Sequence, residues 1–228
     1  HTRYPLVTGV QTCALPIWIG RRDPPAELRG ELFLSDDERA WAMEWCRKEG
    51  LAGRPWAGIH VGSGGTKNLA LRRWPVERWA EWIGLWHARR PDVPLVAFGG
   101  PGEREVHEAL RAALPEGALR FAVAPSLRAS AALLSMARGF VSVDTAFMHL
   151  AAATRVPHQV VIETPTLNPP VHPMRPDWVR VENPAVGGRP LDFYRYDGGP
   201  IAGTDDALRR VMASVDAESV FAAMARGL

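Results

Sequence analysis

The sequence predicts an α/β fold: a Rossmann-like parallel sheet with helices on both faces. Two observations carry it. Apolar runs of strand length, at residues 57–61, 93–98, 119–123, 140–143, 159–162 and 178–181, alternate with segments of helical period. The connections are only a few residues long, which calls for right-handed crossovers between parallel strands.

The elements follow in chain order. Ser35 is a good N-cap, with Glu38 placed three residues on for a capping box, and Trp41, Ala42 and Trp45 give the helix its apolar face as far as Cys46. The first strand, 57–61, runs into the glycine-rich segment Gly62-Ser-Gly-Gly-Thr-Lys67. Pro75 then suits a first helical position, and Val76, Trp79, Ile83 and Trp86 recur at helical spacing. The second strand, 93–98, turns through Gly99-Gly-Pro-Gly102 into a helix over 103–114. After the third strand, Ser126 caps a helix whose Leu127, Ala131 and Leu134 share a face. The fourth strand, 140–143, leads straight into a helix capped by Asp144 or Thr145. Beyond the last two strands, 205–212 and 216–226 read as helices. The expected organisation is a linker and helix over 18–50, one Rossmann-like domain over 51–185 and a helical tail over 186–228.

Composition narrows the function classes. Hydrophobic residues at 46% and charged residues at 23% are ordinary globular values, so a sizeable core is available. A net charge of +2 demands no nucleic-acid partner; a local anion site suffices. No apolar run approaches the roughly 18 residues of a membrane span. Two cysteines, Cys13 and Cys46, make neither a disulfide framework nor a metal set, which fits a reducing compartment. Residues 7–17 resemble the conceptual translation of a sequencing adapter, so residues 1–17 are treated as an artefact and Cys13 as foreign. A signal peptide fits less well: Arg3 is the only early charge, and Gln11-Thr12 and Pro16 break the apolar stretch.

The segment Asp144-Thr-Ala-Phe-Met-His-Leu-Ala-Ala-Ala153 is the natural place for a site. In an open α/β sheet, ligands bind at the carboxyl ends of the strands. A helix start there offers free N–H groups and partial positive charge to a phosphate. Thr145 and His149 stand one turn apart and can face one ligand. On spacing alone, a pair of capping residues and a core histidine account for the same pattern equally well.

This segment resembles the Asp-Thr-Gly-x-x-His-Leu-Ala-Ala-Ala element of glycosyltransferase family 9, the lipopolysaccharide heptosyltransferases. Arg72-Arg-Trp-Pro75 is similar to the Lys-Arg-Trp-Pro element of that family. The resemblance implies the C-terminal, donor-binding half of a two-domain GT-B enzyme, from about residue 32 to the tail. It further implies metal-independent, inverting transfer of a heptose from a nucleotide sugar, usually ADP-linked, to a lipopolysaccharide-type acceptor. The catalytic base would be an Asp in the preceding half, so no base is named in this chain. The protein would be cytoplasmic, at the inner face of the membrane, with any membrane contact made through that preceding half. No cofactor or metal is implied.

The candidate nucleotide-sugar contacts form two groups. Ser63, Gly64, Thr66 and Lys67 lie in a glycine-rich loop whose backbone can wrap an oxyanion that Lys67 neutralises, though alone it reads sooner as a surface loop. The others, as the resemblance implies, are Arg72, Glu103, Asp144, Thr145, Ala146, Met148 and His149. Arg72 stands where the family has a phosphate-contacting lysine, which keeps the charge but changes its geometry. Glu103 takes the place of a glutamate near the ribose and base; without the resemblance it is an acid suited to a helix's first turn. Ala146 replaces a glycine, and its β-carbon would crowd a pyrophosphate. Glu163-Thr-Pro-Thr166 occupies the place of a Phe-Gly-Pro-Thr turn. Ser126-Leu-Arg128 resembles a Thr-Ser-Leu-Arg segment, with Ser126 read mainly as a cap. His60 reads as structural, and neither it nor His172 belongs to a metal-ligand spacing. Two other functions stay open: another GT-B nucleotide-sugar transferase or epimerase, and a nucleotide-binding module without turnover.

Overall fold

The computed structural model describes residues 30–63, 72–165, 167, 171–187 and 205–228. Among them, six strands form one sheet in the order β3-β2-β1-β4-β5-β6. The strands are β1 (Ala57–His60), β2 (Leu95–Phe98), β3 (Arg120–Phe121), β4 (Gly139–Ser142), β5 (His158–Ile162) and β6 (Trp178–Val181). Every pairing is parallel, so the expected fold class is the observed one. The helices are α1 (Asp36–Lys48), α2 (Val76–Arg89), α3 (Arg104–Ala113), α4 (Leu127–Leu134), α5 (Ala146–Ala153), α6 (Asp205–Ala213) and α7 (Ala217–Ala225).

Side chains alternate across a strand, and here both faces are apolar. Ile59, Leu95, Ala97, Val141, Val160 and Ile162 enter a core shared with Trp79 and Trp82 of α2, Leu110 of α3, Met212 of α6 and Val220 of α7. Their neighbours Val96, Phe98 and Phe140 point the other way, towards Cys46 of α1, Leu133 and Leu134 of α4 and Phe147 of α5. The two terminal helices therefore contribute to the same core as the sheet. Gly58 leaves room for this second core: a β-carbon there would come within 2.9 Å of both Phe98 and Phe140.

The caps follow local chemistry. Ser35 and Glu38 form the reciprocal capping box. Ser126 accepts from Ala129 N, Thr145 from Met148 N and Asp216 from Ser219 N. The tryptophans of α2 form a wider stripe than four periodic positions suggest. Trp74, just before the helix, and Trp79, Trp82 and Trp86 within it are all buried, with successive ring centroids 4.9, 5.9 and 5.7 Å apart, the first two contacts edge-on. The cause is that α2 packs on the sheet with α3 and α7 as its neighbours on the same face, so its flanks are covered as well as its inner side.

Two expectations are corrected. Leu127 does not share the buried face of Ala131 and Leu134; as the first residue of α4 it is 48% exposed. The third strand shrinks from 119–123 to Arg120–Phe121, because β3 is an edge strand paired only with β2, and Val123 beyond it is 82% exposed. Among the described residues, no helix is long and apolar enough to cross a membrane.

Candidate active site at the strand-order reversal

The sheet runs outward from β1 in one direction and from β4 in the other, so their carboxyl ends flank a natural ligand crevice. The sequence-predicted residues gather there. Gly62 and Ser63 follow β1, Glu103 follows β2, and Asp144 and Thr145 follow β4. Thr145 has extended backbone and caps α5 with its hydroxyl, which accepts from Met148 N at 3.3 Å. The start of this helix faces the crevice with its partial positive charge.

Asp144 is buried, and the Arg72 Nη1 donates to its Oδ2 at 2.8 Å. Burial pushes the Asp144 carboxyl above the ordinary carboxylate range, while the Arg72 guanidinium pulls against that rise. Arg73 points to the neighbouring loop, where its Nε donates to Ser63 Oγ at 3.3 Å. The two adjacent arginines thus tie both sides of the crevice.

Glu103 ends a short 3-10 turn, Pro101–Glu103, and its Oε2 accepts from Gly100 N at 2.8 Å. Its carboxylate lies directly over Gly62: a β-carbon on Gly62 would stand 2.3 Å from Oε1. Only a glycine leaves that space open. Below them, His60 stacks on Phe147 at 4.4 Å. Burial, with the nearby charges of His107 and Arg73, pushes the His60 imidazole down to about 3, so it is a neutral part of the floor. His149 is half-buried; its Nδ1 is buried without a hydrogen bond among the described residues, and burial lowers its pKa.

The remaining candidates divide. Ala146 is exposed at the first turn of α5, whereas the Met148 side chain is wholly buried with Val161 and Leu167. What Met148 can offer a ligand is therefore backbone. Gly64, Thr66 and Lys67 lie outside the described residues, as does Thr166. Glu163 is buried, accepting from Asn183 N at 2.8 Å and from Arg180 Nη1 at 3.3 Å, which is a structural tie to β6. His172 packs edge-on against Trp178. Among the described residues, no three His, Cys, Asp or Glu side chains form a group able to hold a metal. Sequence reasoning passed over Gly62 and Arg73 as individual residues. Their only signal was adjacency to residues already chosen.

Fold and crevice define an α/β domain of Rossmann type with a helix-capped site, carrying two arginines and two carboxylates, where the strand order reverses. The chain belongs to glycosyltransferase family 9 (heptosyltransferase), whose family model matches residues 23–166. Among solved structures it is similar to a glycosyl transferase family 9 protein from Veillonella parvula DSM 2008, with a TM-score of 0.64 at 20% identity over 86% of this chain and 53% of that one. The ADP-heptose lps heptosyltransferase II of E. coli matches with a TM-score of 0.55 at 20% identity, over 86% of this chain and 54% of that one. The E. coli heptosyltransferase WaaC with ADP-2-deoxy-2-fluoro heptose matches with a TM-score of 0.50 at 22% identity, over 77% and 45%. At such identities the likeness is one of fold. The chain spans about half the length of these structures. No curated protein matches the sequence.

Proposed function

We propose that this chain is the donor-binding half of a heptosyltransferase-like glycosyltransferase, taking a nucleotide sugar, with ADP as the first choice of nucleotide. The observation that carries the reading is the convergence of the Arg72–Asp144 pair, the Thr145-capped helix start and Glu103 over Gly62 on one crevice. It is supported by family membership and by structural neighbours that are an ADP-heptose heptosyltransferase and a heptosyltransferase with ADP-2-deoxy-2-fluoro heptose.

In the proposed reaction an acceptor hydroxyl attacks the anomeric carbon and the bond to the diphosphate oxygen breaks, with inversion. The hydroxyl proton passes to a base, and the diphosphate leaves with the negative charge. Arg72 and the amino end of α5 stabilise that charge as it develops, and Lys67 adds a second cation. Glu103 is assigned to the ribose and base. No metal takes part. The acceptor, of lipopolysaccharide-core type, and the base belong to a preceding half, in a cytoplasmic enzyme at the inner membrane face. Residues 18–228 accordingly bind nucleotide without turning sugar over.

The exposed Ala146 methyl at the phosphate-facing turn keeps a second donor class in view, a GT-B enzyme or epimerase using another nucleotide. Calorimetric titration of the purified chain with ADP, UDP and GDP decides between them. Preference for ADP, weakened by Thr145→Val and Glu103→Ala, is the expected result. Preference for UDP or GDP moves the donor assignment, and no binding of any of the three removes the reading. Sugar transfer at an ordinary enzymatic rate by this chain alone would refute the half-enzyme assignment.

A further inference from the structure

At the amino ends of β2 and β3, at the opposite end of the sheet from the crevice, lies a cavity of about 230 Å³ beside the last turn of α2. Arg54, His87, Arg90 and Arg120 line it, and no aspartate or glutamate does. Arg90 is already matched: its guanidinium donates to the Asp92 carboxylate at 3.1 and 3.0 Å and to the Leu228 carbonyl at 2.9 Å. Arg54 and Arg120 differ. Among the described residues neither has an ion pair or a side-chain hydrogen bond.

Cations on the last turn of a helix answer its negative end, which accounts for His87 and Arg90. It does not account for Arg54, which precedes β1, or Arg120, which opens β3. The frame that brings these segments together is tied by backbone and indole bonds. Ala57 N donates to Pro94 O at 3.0 Å, Val93 N to Arg90 O at 3.1 Å, and Trp86 Nε1 to Val93 O at 2.9 Å. Two guanidinium groups without an ion pair among the described residues thus line one cavity, where an anion entering could meet both. The guanidinium fork matches a phosphoryl group in both charge and geometry.

We propose that this cavity is a second anion site, taking a phosphoryl group from free phosphate or from a lipid headgroup. It is independent of the crevice at the carboxyl ends of the strands and of what that crevice binds.

The test titrates the full 228-residue chain with inorganic phosphate by calorimetry, at fixed ionic strength and with ADP present in excess. The expected result is one saturable site with a Kd of about 1 mM. Arg54→Ala/Arg120→Ala should weaken it at least about tenfold, a loss of about 1.4 kcal/mol, while ADP affinity and the melting temperature stay as they were. Arg54→Ala alone, at an exposed turn, should give part of the same loss. Co-sedimentation with phosphatidylcholine vesicles, with and without phosphatidic acid, separates the sources. Binding only to the acidic vesicles, lost in the double variant, assigns the phosphoryl group to lipid; phosphate binding without vesicle binding assigns it to a soluble donor. Phosphate that is displaced by ADP, or bound equally by the double variant, overturns the proposal. Failure of ADP to bind strikes the crevice assignment instead and leaves the phosphate measurement readable.

Discussion

Arg72 and Asp144, 72 residues apart in sequence, meet through a 2.8 Å contact with both side chains about nine-tenths buried. The pair joins the loop after β1 to the turn after β4, the two strands at which the order of the sheet reverses. Two charges removed from water are expensive unless each satisfies the other. The pair is thus a structural clamp as well as the proposed diphosphate contact, and substitutions can separate these roles.

Arg72→Met leaves a buried carboxylate without its partner and should cost about 3–5 kcal/mol near neutral pH. The pH dependence has a definite sign. Burial already holds the Asp144 pKa above its unfolded value, and losing Arg72 raises it further. The folded variant then binds a proton that the unfolded chain has released, so its stability is greatest below the ordinary carboxylate pKa. That stability is lost as pH rises through the folded value. Arg72→Met/Asp144→Leu should recover most of the stability and none of the ADP affinity. Urea melts across pH, with parallel ADP titrations, check both; recovery of binding in the double variant would show that neither charge serves the nucleotide.

Gly62→Ala separates binding from stability differently. The added β-carbon would stand 2.3 Å from Glu103 Oε1, while the backbone of Gly62 is not in the left-handed region. The obstacle is the Glu103 side chain from Cγ outward, which must swing away and give up its bond from Gly100 N, at a stability cost of about 1–2 kcal/mol. The displaced carboxylate leaves the place proposed above for contact with a ribose. The expected result is a loss of about tenfold or more in ADP affinity, the scale of a charged hydrogen bond, with a melting temperature lowered by only a few degrees. Unchanged affinity would remove Glu103 from the nucleotide site.

Much of this architecture was legible because it is local. Caps depend on a side chain and a backbone N–H three residues on: Ser35 and Ser126 are where the sequence places them, Thr145 takes the place left open between it and Asp144, and Asp216, read as the first residue of its helix, is its cap. The six strands were legible for a similar reason, since apolar runs between turn residues need no knowledge of their partners. The Arg72–Asp144 pair and the approach of Glu103 to Gly62 were not. Each is set by which strands lie side by side, and pairing order is a property of the whole chain. Leu127 shows the complementary limit: helical period puts it on the right face, but the helix reaches its neighbours only later.

Acidification should weaken the fold through its buried imidazoles. Burial above all pushes the His60 imidazole down to about 3 in the folded chain, against an ordinary value of about 6.5. Between those values the unfolded chain holds a proton that the native chain lacks. Stability is therefore complete above about pH 6.5 and falls as pH drops towards 3, at up to about 1.4 kcal/mol per pH unit for one proton. His107 and His149 are lowered in the same direction, each chiefly by burial. His60→Leu loses the stack on Phe147 and starts less stable at neutral pH, yet its urea midpoint should fall less steeply between pH 6.5 and 5 than that of the parent chain. Equal slopes would mean that His60 takes up its proton without unfolding.

Glu163 tests whether a departure from the family pattern marks a new donor or a different scaffold. The sequence resemblance reads it in the place of the phenylalanine of a Phe-Gly-Pro-Thr turn, so a changed ligand contact is the first explanation to consider. The structure supplies another. Glu163 accepts from the backbone of Asn183 at 2.8 Å, and the Asn183 amide donates to Glu163 O at 3.3 Å and to Val211 O at 2.9 Å. Asn183 Oδ1 in turn accepts from Ser214 Oγ at 2.8 Å. One carboxylate therefore anchors the exit of β6, and through Asn183 it reaches the end of α6, which packs Met212 into the main core. Glu163→Gln keeps the shape but replaces the charged acceptor of a buried N–H, and should cost about 1–3 kcal/mol. Because these bonds lead away from the crevice, ADP affinity should stay within about twofold, well under the tenfold step of 1.4 kcal/mol. A stable variant with weakened ADP binding would reverse the assignment and place Glu163 among the groups that select the donor.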